Sequence, residues 1–177
     1  CLVGSEMCIR DRYVSYLNFF KGKNKHHIKK IVSHKNDENN QATISEAIGN
    51  NENIILKIDI EGDEFKILEE IDKNLDKINL LIIEFHDMQK NLKKVENFIE
   101  NTKLKNIHIN ANNYGMLDEN GITQIVENGI PQVIEMTLIN PKKFEITDER
   151  SKRNYPIEGL DFKNRKRGPD IELKFNE

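Results

Sequence analysis

Asp59 and Glu61, Glu84 and His86, and His108, Asn110 and Asn112 fall at three places in the chain, each at the carboxyl end of an apolar run. Carboxylates are hard oxygen donors, and imidazole titrates near neutrality and can serve as a general base. The carboxamides, with Tyr114 close behind, suit hydrogen bonding to a polyol. Asp59 and Glu61, joined by His86 or Asn110, have the donor atoms for a divalent cation, but the reading adopted here includes no metal. On spacing alone, a solvated turn and helix cap accounts for Asp59 and Glu61 equally well. For His86 the plain alternative is a buried, hydrogen-bonded side chain.

These groups form one site only if their carrier elements run the same way. Ile54–Ile60, inside NIILKIDIEGDEFKIL, is a nearly unbroken apolar run, the pattern of a strand buried on both faces within a parallel sheet. Gly62 permits a sharp turn. Asp63 and Glu64 follow in the first turn of a helix, where the macrodipole favours acids. That helix buries Phe65, Leu68, Ile71 and Leu75. Asn79–Phe85 is a second interior strand. A helix capped by Asp87, with Met88, Leu92, Val95 and Ile99 inside, leads to a third strand at Asn106–Asn110. Ile130–Ile139 is a fourth apolar run, reached without a helix-length crossover. It is therefore expected to be antiparallel, at the end of an otherwise parallel sheet. Ligands of such sheets bind outside the carboxyl ends of the strands, so the polar groups are expected to converge on one cleft.

Leu56-Lys57-Ile58-Asp59-Ile60-Glu61-Gly62-Asp63-Glu64 resembles the signature of the FkbM-type methyltransferase family, a strand ending in Lys-x-Asp-x-Glu-Gly-x-Glu. Ile82–His86 and His108–Asn113, at the following strand ends, add to the likeness, which covers roughly the second half of a methyltransferase domain. The resemblance implies a Rossmann-like α/β fold and S-adenosylmethionine as cofactor. It also implies O-methylation of a sugar or glycoconjugate hydroxyl, with a small-molecule or glycan acceptor. On it, Asp59 and Glu61 bind the cofactor. His86 is the first candidate for the base that removes the hydroxyl proton, and Asp59 is the second. Glu84, His108, Asn110, Asn112 and Tyr114 contact the acceptor.

The chain departs from that family at one point: none of its nine glycines forms a Gly-x-Gly, so the glycine-rich cofactor loop is missing. The expected fold is thus an incomplete Rossmann-like methyltransferase sheet, with parallel strands, helical crossovers and an antiparallel strand near the carboxyl end. The expected activity belongs to a longer parent protein, with this piece inactive alone and Ile54–Ile60 left as an apolar sheet edge. Two other readings stay open. One is a nucleotide-sugar glycosyltransferase whose Asp59-x-Glu61 holds a metal–diphosphate; the other is a non-catalytic interaction domain.

The 177 residues suffice for one domain, and a net charge of -3 with both signs interspersed gives no nucleic-acid footprint. Residues 1–12 resemble the translated read-through of a sequencing adapter and are set apart from the fold. Cys1 and Cys8, the two cysteines, both fall there, so no disulfide or thiolate chemistry is expected. The methyltransferase part is expected over 13–140, followed by a polar tail, 141–177, ending in an edge strand at Asp170–Phe175. Tyr13–Phe20 reads as a helix and His26–Ser33 as a strand. His26, His27 and His34 lack metal-ligand spacing. Thr43 and Glu46 form a capping box for a helix to Ile48, stopped by Gly49. No run of about eighteen apolar residues occurs, so no transmembrane helix is predicted, and the cytoplasm is the default expectation. The sequence does not define an oligomeric state.

Overall fold

The structure, a computed structural model, describes residues 2–3, 30–34, 40–113, 116–117, 123–124, 126–127, 129–147, 149, 151, 153–166 and 169–173. Its centre is a mixed five-stranded sheet of β1 (Leu2–Val3), β4 (Ile54–Ile58), β5 (Ile78–Phe85), β6 (Lys105–Asn112) and β11 (Val133–Ile139), in the order β1-β4-β5-β11-β6. Short pairs lie outside it: β2 (Ile31–Val32) with β3 (Gln41–Ala42), β7 (Met116–Leu117) with β8 (Thr123–Gln124), and β9 (Val126–Glu127) with β10 (Ile130–Pro131). Tyr13–Phe20 lies outside the described residues, and so does the first half of His26–Ser33, whose described half contains β2.

β4 and β5 are parallel, and β11 is antiparallel to both β5 and β6, so β4, β5 and β6 all run one way. The antiparallel direction of β11 agrees with the short connection before it. Its place differs from expectation: it lies inside the sheet, between β5 and β6, and not at its end. Burial explains the difference. Val133, Ile134, Met136, Leu138 and Ile139 are all buried, whereas β6 begins with three exposed residues and tolerates the edge.

Among the described residues three helices pack on one face of the sheet: α1 (Ile44–Ile48), α2 (Leu68–Lys73) and α3 (Met88–Asn101). Their buried side chains meet Leu56, Ile58, Leu81, Ile83, Ile134, Met136 and Leu138 in one core. α1 starts as expected, with Thr43 and Glu46 forming a reciprocal capping box and Gly49 (φ 56°) closing it. Asp87 precedes α3 in a left-handed conformation (φ 50°) and makes no side-chain cap; its carbonyl receives Asn91 N–H instead. The helix expected from Asp63 onward is broken into a 3₁₀ turn, Glu64–Lys66, and the short α2.

The opposite face is less covered. Ile55 keeps 65 % of its surface exposed, so β4 is not buried on both faces as its apolar run suggests. β1, from the stretch set apart in the sequence, pairs with β4 only at Lys57 and Ile58. The 153–166 segment crosses this face over β6 and β11. It is tied down by Asp161 to His108, and Asn113 bonds Arg165 and Pro169. In place of an edge strand at Asp170–Phe175, the described part makes a single bridge, Leu173 to Tyr155. Among the described residues no helix is long and apolar enough to cross a membrane.

Candidate functional site

Where β4 ends, the chain reverses through two consecutive left-handed residues, Glu61 (φ 57°) and Gly62 (φ 106°). A Cβ on Gly62 would meet nothing within 4 Å, so the glycine serves the backbone angle rather than space. The reversal swings Glu64 back underneath. Its Oε1 accepts the Ile60 and Gly62 N–H groups, each at 3.2 Å, and its Oε2 accepts Gly62 N–H at 3.1 Å. Glu64 is completely buried, and so it does more than favour a helix dipole.

β5 delivers Glu84 and His86. Pleating puts Phe85 in the core beside Phe65 and turns its neighbours away. His86 Nδ1 lies 2.9 Å from Glu64 Oε1, and its Nε2 lies 3.6 Å from Glu61 Oε2. Single ligand atoms of Asp59, Glu84 and His86 all lie within 4.8 Å of one another. From β6, Asn112 Nδ2 donates to Glu84 Oε1 at 2.5 Å. Between them in register stands Glu135 of β11, opposite both Glu84 and Asn110, and Lys57 reaches it at 3.2 Å.

A cavity of about 230 Å³ opens beside these groups, floored by Glu84, Asn110, Asn112 and Glu135 and roofed by Asp161 and Asn164, with Leu160 and Phe162 at its rim. Its described lining is carboxylates, carboxamides and two apolar side chains, which suit a ligand rich in hydrogen-bonding groups.

The electrostatics are set by crowded carboxylates. Burial pushes Glu64 up, but the His86 hydrogen bond and the Gly62 N–H outweigh it and hold the carboxyl below its usual range. Burial lowers His86; the Glu64 bond and the charges of Glu64, Glu84 and Glu61 more than reverse this, leaving it raised. Glu84 is raised by burial first; the Asn112 bond opposes that and the charge of Asp59 adds to it.

The structure thus brings together Asp59, Glu61, Glu84 and His86, with Asn110 and Asn112 along the adjoining cavity. It does not bring His108 in: that ring bonds Asp161 at 2.7 Å and packs on Tyr155, anchoring the tail. Tyr114 lies outside the described residues. Glu64, Glu135 and Asp161 were not anticipated as part of the site. Glu135 carried a signal, being the one charged residue in an otherwise apolar strand with Thr137; Asp161 carried none.

Set against known proteins, the chain matches no family model, no curated protein and no solved structure.

Proposed function

We propose that the chain carries the carboxyl-terminal part of an S-adenosylmethionine-dependent methyltransferase acting on a hydroxyl of a sugar or glycoconjugate. The observation that supports this reading is the gathering of Asp59, Glu84 and His86 at the carboxyl ends of the parallel strands β4 and β5, beside a cavity lined by carboxylates and by the carboxamides of β6. The bound cofactor supplies an electrophilic methyl on a sulfonium, and Asp59 and Glu61 offer that cation negative charge. Among the described residues the Asp59 carboxylate has no hydrogen-bond or ion-pair partner, which suits such a neighbour. Glu84, Asn110 and Asn112 hold the acceptor by hydrogen bonds. His86 Nε2, the nitrogen not engaged by Glu64, accepts the hydroxyl proton when the ring is neutral, and the surrounding carboxylates make it the stronger base.

Without a Gly-x-Gly turn the cofactor is held incompletely, and on this reading the polypeptide alone neither binds it tightly nor turns over. The test is an NMR titration of the full chain. S-adenosylhomocysteine at millimolar concentration is expected to shift the amides of Asp59–Gly62 and His86. A micromolar dissociation constant by calorimetry would contradict the incomplete site. Shifts with a uridine diphosphate sugar and manganese instead would transfer the assignment to a glycosyltransferase, and silence with both would leave an interaction domain.

A further inference from the structure

We infer that Asp59, Glu84 and His86 form a binding site for one divalent cation, with manganese(II) the best chemical match. Three observations carry it. The three ligand atoms lie within 4.8 Å of one another, close enough for one ion to bridge them. The carboxylates are short of partners: among the described residues Asp59 has none, and Glu84, nine-tenths buried, uses only Oε1, leaving Oε2 without a donor. The nearby ammonium is committed elsewhere, Lys57 to Glu135, and His86 is held in place through Nδ1 by Glu64.

The imidazole makes this more than a group of acids. Glu64, which accepts backbone N–H groups on both oxygens, can only accept from His86, so Nδ1 carries a proton and, in the neutral ring, Nε2 is the nitrogen left with a lone pair for an ion. A carboxylate fixing the far nitrogen of a histidine is the usual outer support of a metal ligand. Two carboxylate oxygens and one imidazole nitrogen suit manganese(II) or iron(II) better than calcium or thiolate-seeking ions. The adjoining cavity supplies room for water or an acceptor hydroxyl on the remaining positions. This goes beyond the methyltransferase reading and changes one part of it: with the ion bound, Nε2 is a ligand and not the proton acceptor.

The test is a manganese(II) titration of the chelator-treated full chain, read by electron paramagnetic resonance and by calorimetry, with no activity assay involved. One saturable site of micromolar affinity is expected, with paramagnetic broadening of the His86 ring signals ahead of the other histidines. Asp59→Asn and Glu84→Gln are each expected to weaken binding about tenfold or more, while Asp63→Asn, on the same turn but outside the site, leaves it unchanged. The wild-type broadening pattern decides even if a variant fails to fold. Absence of saturable binding at millimolar manganese, broadening that ignores His86, or equal losses in Asp63→Asn would overturn the site; the cofactor titration above is unaffected by that outcome.

Discussion

His86 Nδ1 lies 2.9 Å from Oε1 of Glu64, a carboxylate with no exposed surface. Through this contact the end of β5 is fastened to the turn after β4, because the same carboxylate closes that turn on the N–H groups of Ile60 and Gly62. Two strand ends distant in sequence therefore share one buried charge. The positions of Asp59, Glu61 and His86 relative to one another depend on it.

The first consequence is a pH dependence of stability in chelator-treated protein. His86 is raised in the folded state, so its contribution is complete below the unfolded imidazole value and is lost as pH rises through the folded one. Glu64 is lowered, so its contribution is present above the unfolded carboxyl value and is lost as pH falls through the folded one. The pair contributes most between about pH 4.3 and 6.5, the two unfolded values. Glu84, raised, opposes on the acid side, so the readout is the difference from Glu64→Gln. Urea midpoints of the wild type should fall from about pH 6 to about pH 9, and that fall should be largely absent in the variant. Parallel curves would contradict the assignment.

Breaking the pair from one side should be costly. His86→Ala leaves Glu64 buried without its main partner, which costs roughly 3–5 kcal/mol for a fully buried pair. The ring is 17 % exposed, so the lower end of that range is expected. Replacing both residues by apolar ones should recover part of the loss. A urea double-mutant cycle checks this, and additive losses would show the two side chains to be uncoupled.

The tail over the cavity hangs on Asn113, a buried carboxamide that makes three hydrogen bonds to Arg165 and Pro169. Asn113→Ala should weaken the attachment by roughly 1–3 kcal/mol. Tryptic cleavage at Lys163 and Arg165 should accelerate about tenfold or more, while the core stays intact. Unchanged cleavage would mean that other contacts, His108–Asp161 among them, suffice to hold the segment.

Ile55 projects from β4 on the thinly covered face. Ile55→Lys should change stability by no more than about 0.5 kcal/mol and reduce concentration-dependent association, because a lysine there blocks strand addition and removes apolar surface. Sedimentation velocity across a concentration series measures the effect. Equal association in both proteins would place the sticky surface elsewhere.

What was legible in the sequence was local or periodic. The Thr43–Glu46 capping box closes within four residues, so its geometry follows from spacing alone. β4, β5 and β11 declared themselves as apolar runs, and the missing crossover before β11 fixed its direction. The polar residues at the ends of β4, β5 and β6 were therefore placed on the correct edge. The helix after Gly62 is shorter than its apolar spacing implies, because the left-handed pair at Glu61 and Gly62 turns Glu64 inward and interrupts the first turn.

By itself, then, the sequence determined that β4, β5, β6 and β11 are strands, which way they run, and that acids, imidazole and carboxamides sit at the carboxyl ends of the first three. Only the tertiary structure decided that β11 lies between β5 and β6, that Glu135 stands opposite Glu84, that Glu64 turns inward to engage His86 instead of serving a helix dipole, and that His108 serves the tail. The reason is that strand order and side-chain partnering depend on burial summed over contacts remote in sequence. Periodicity reports only which face of its own element a residue occupies.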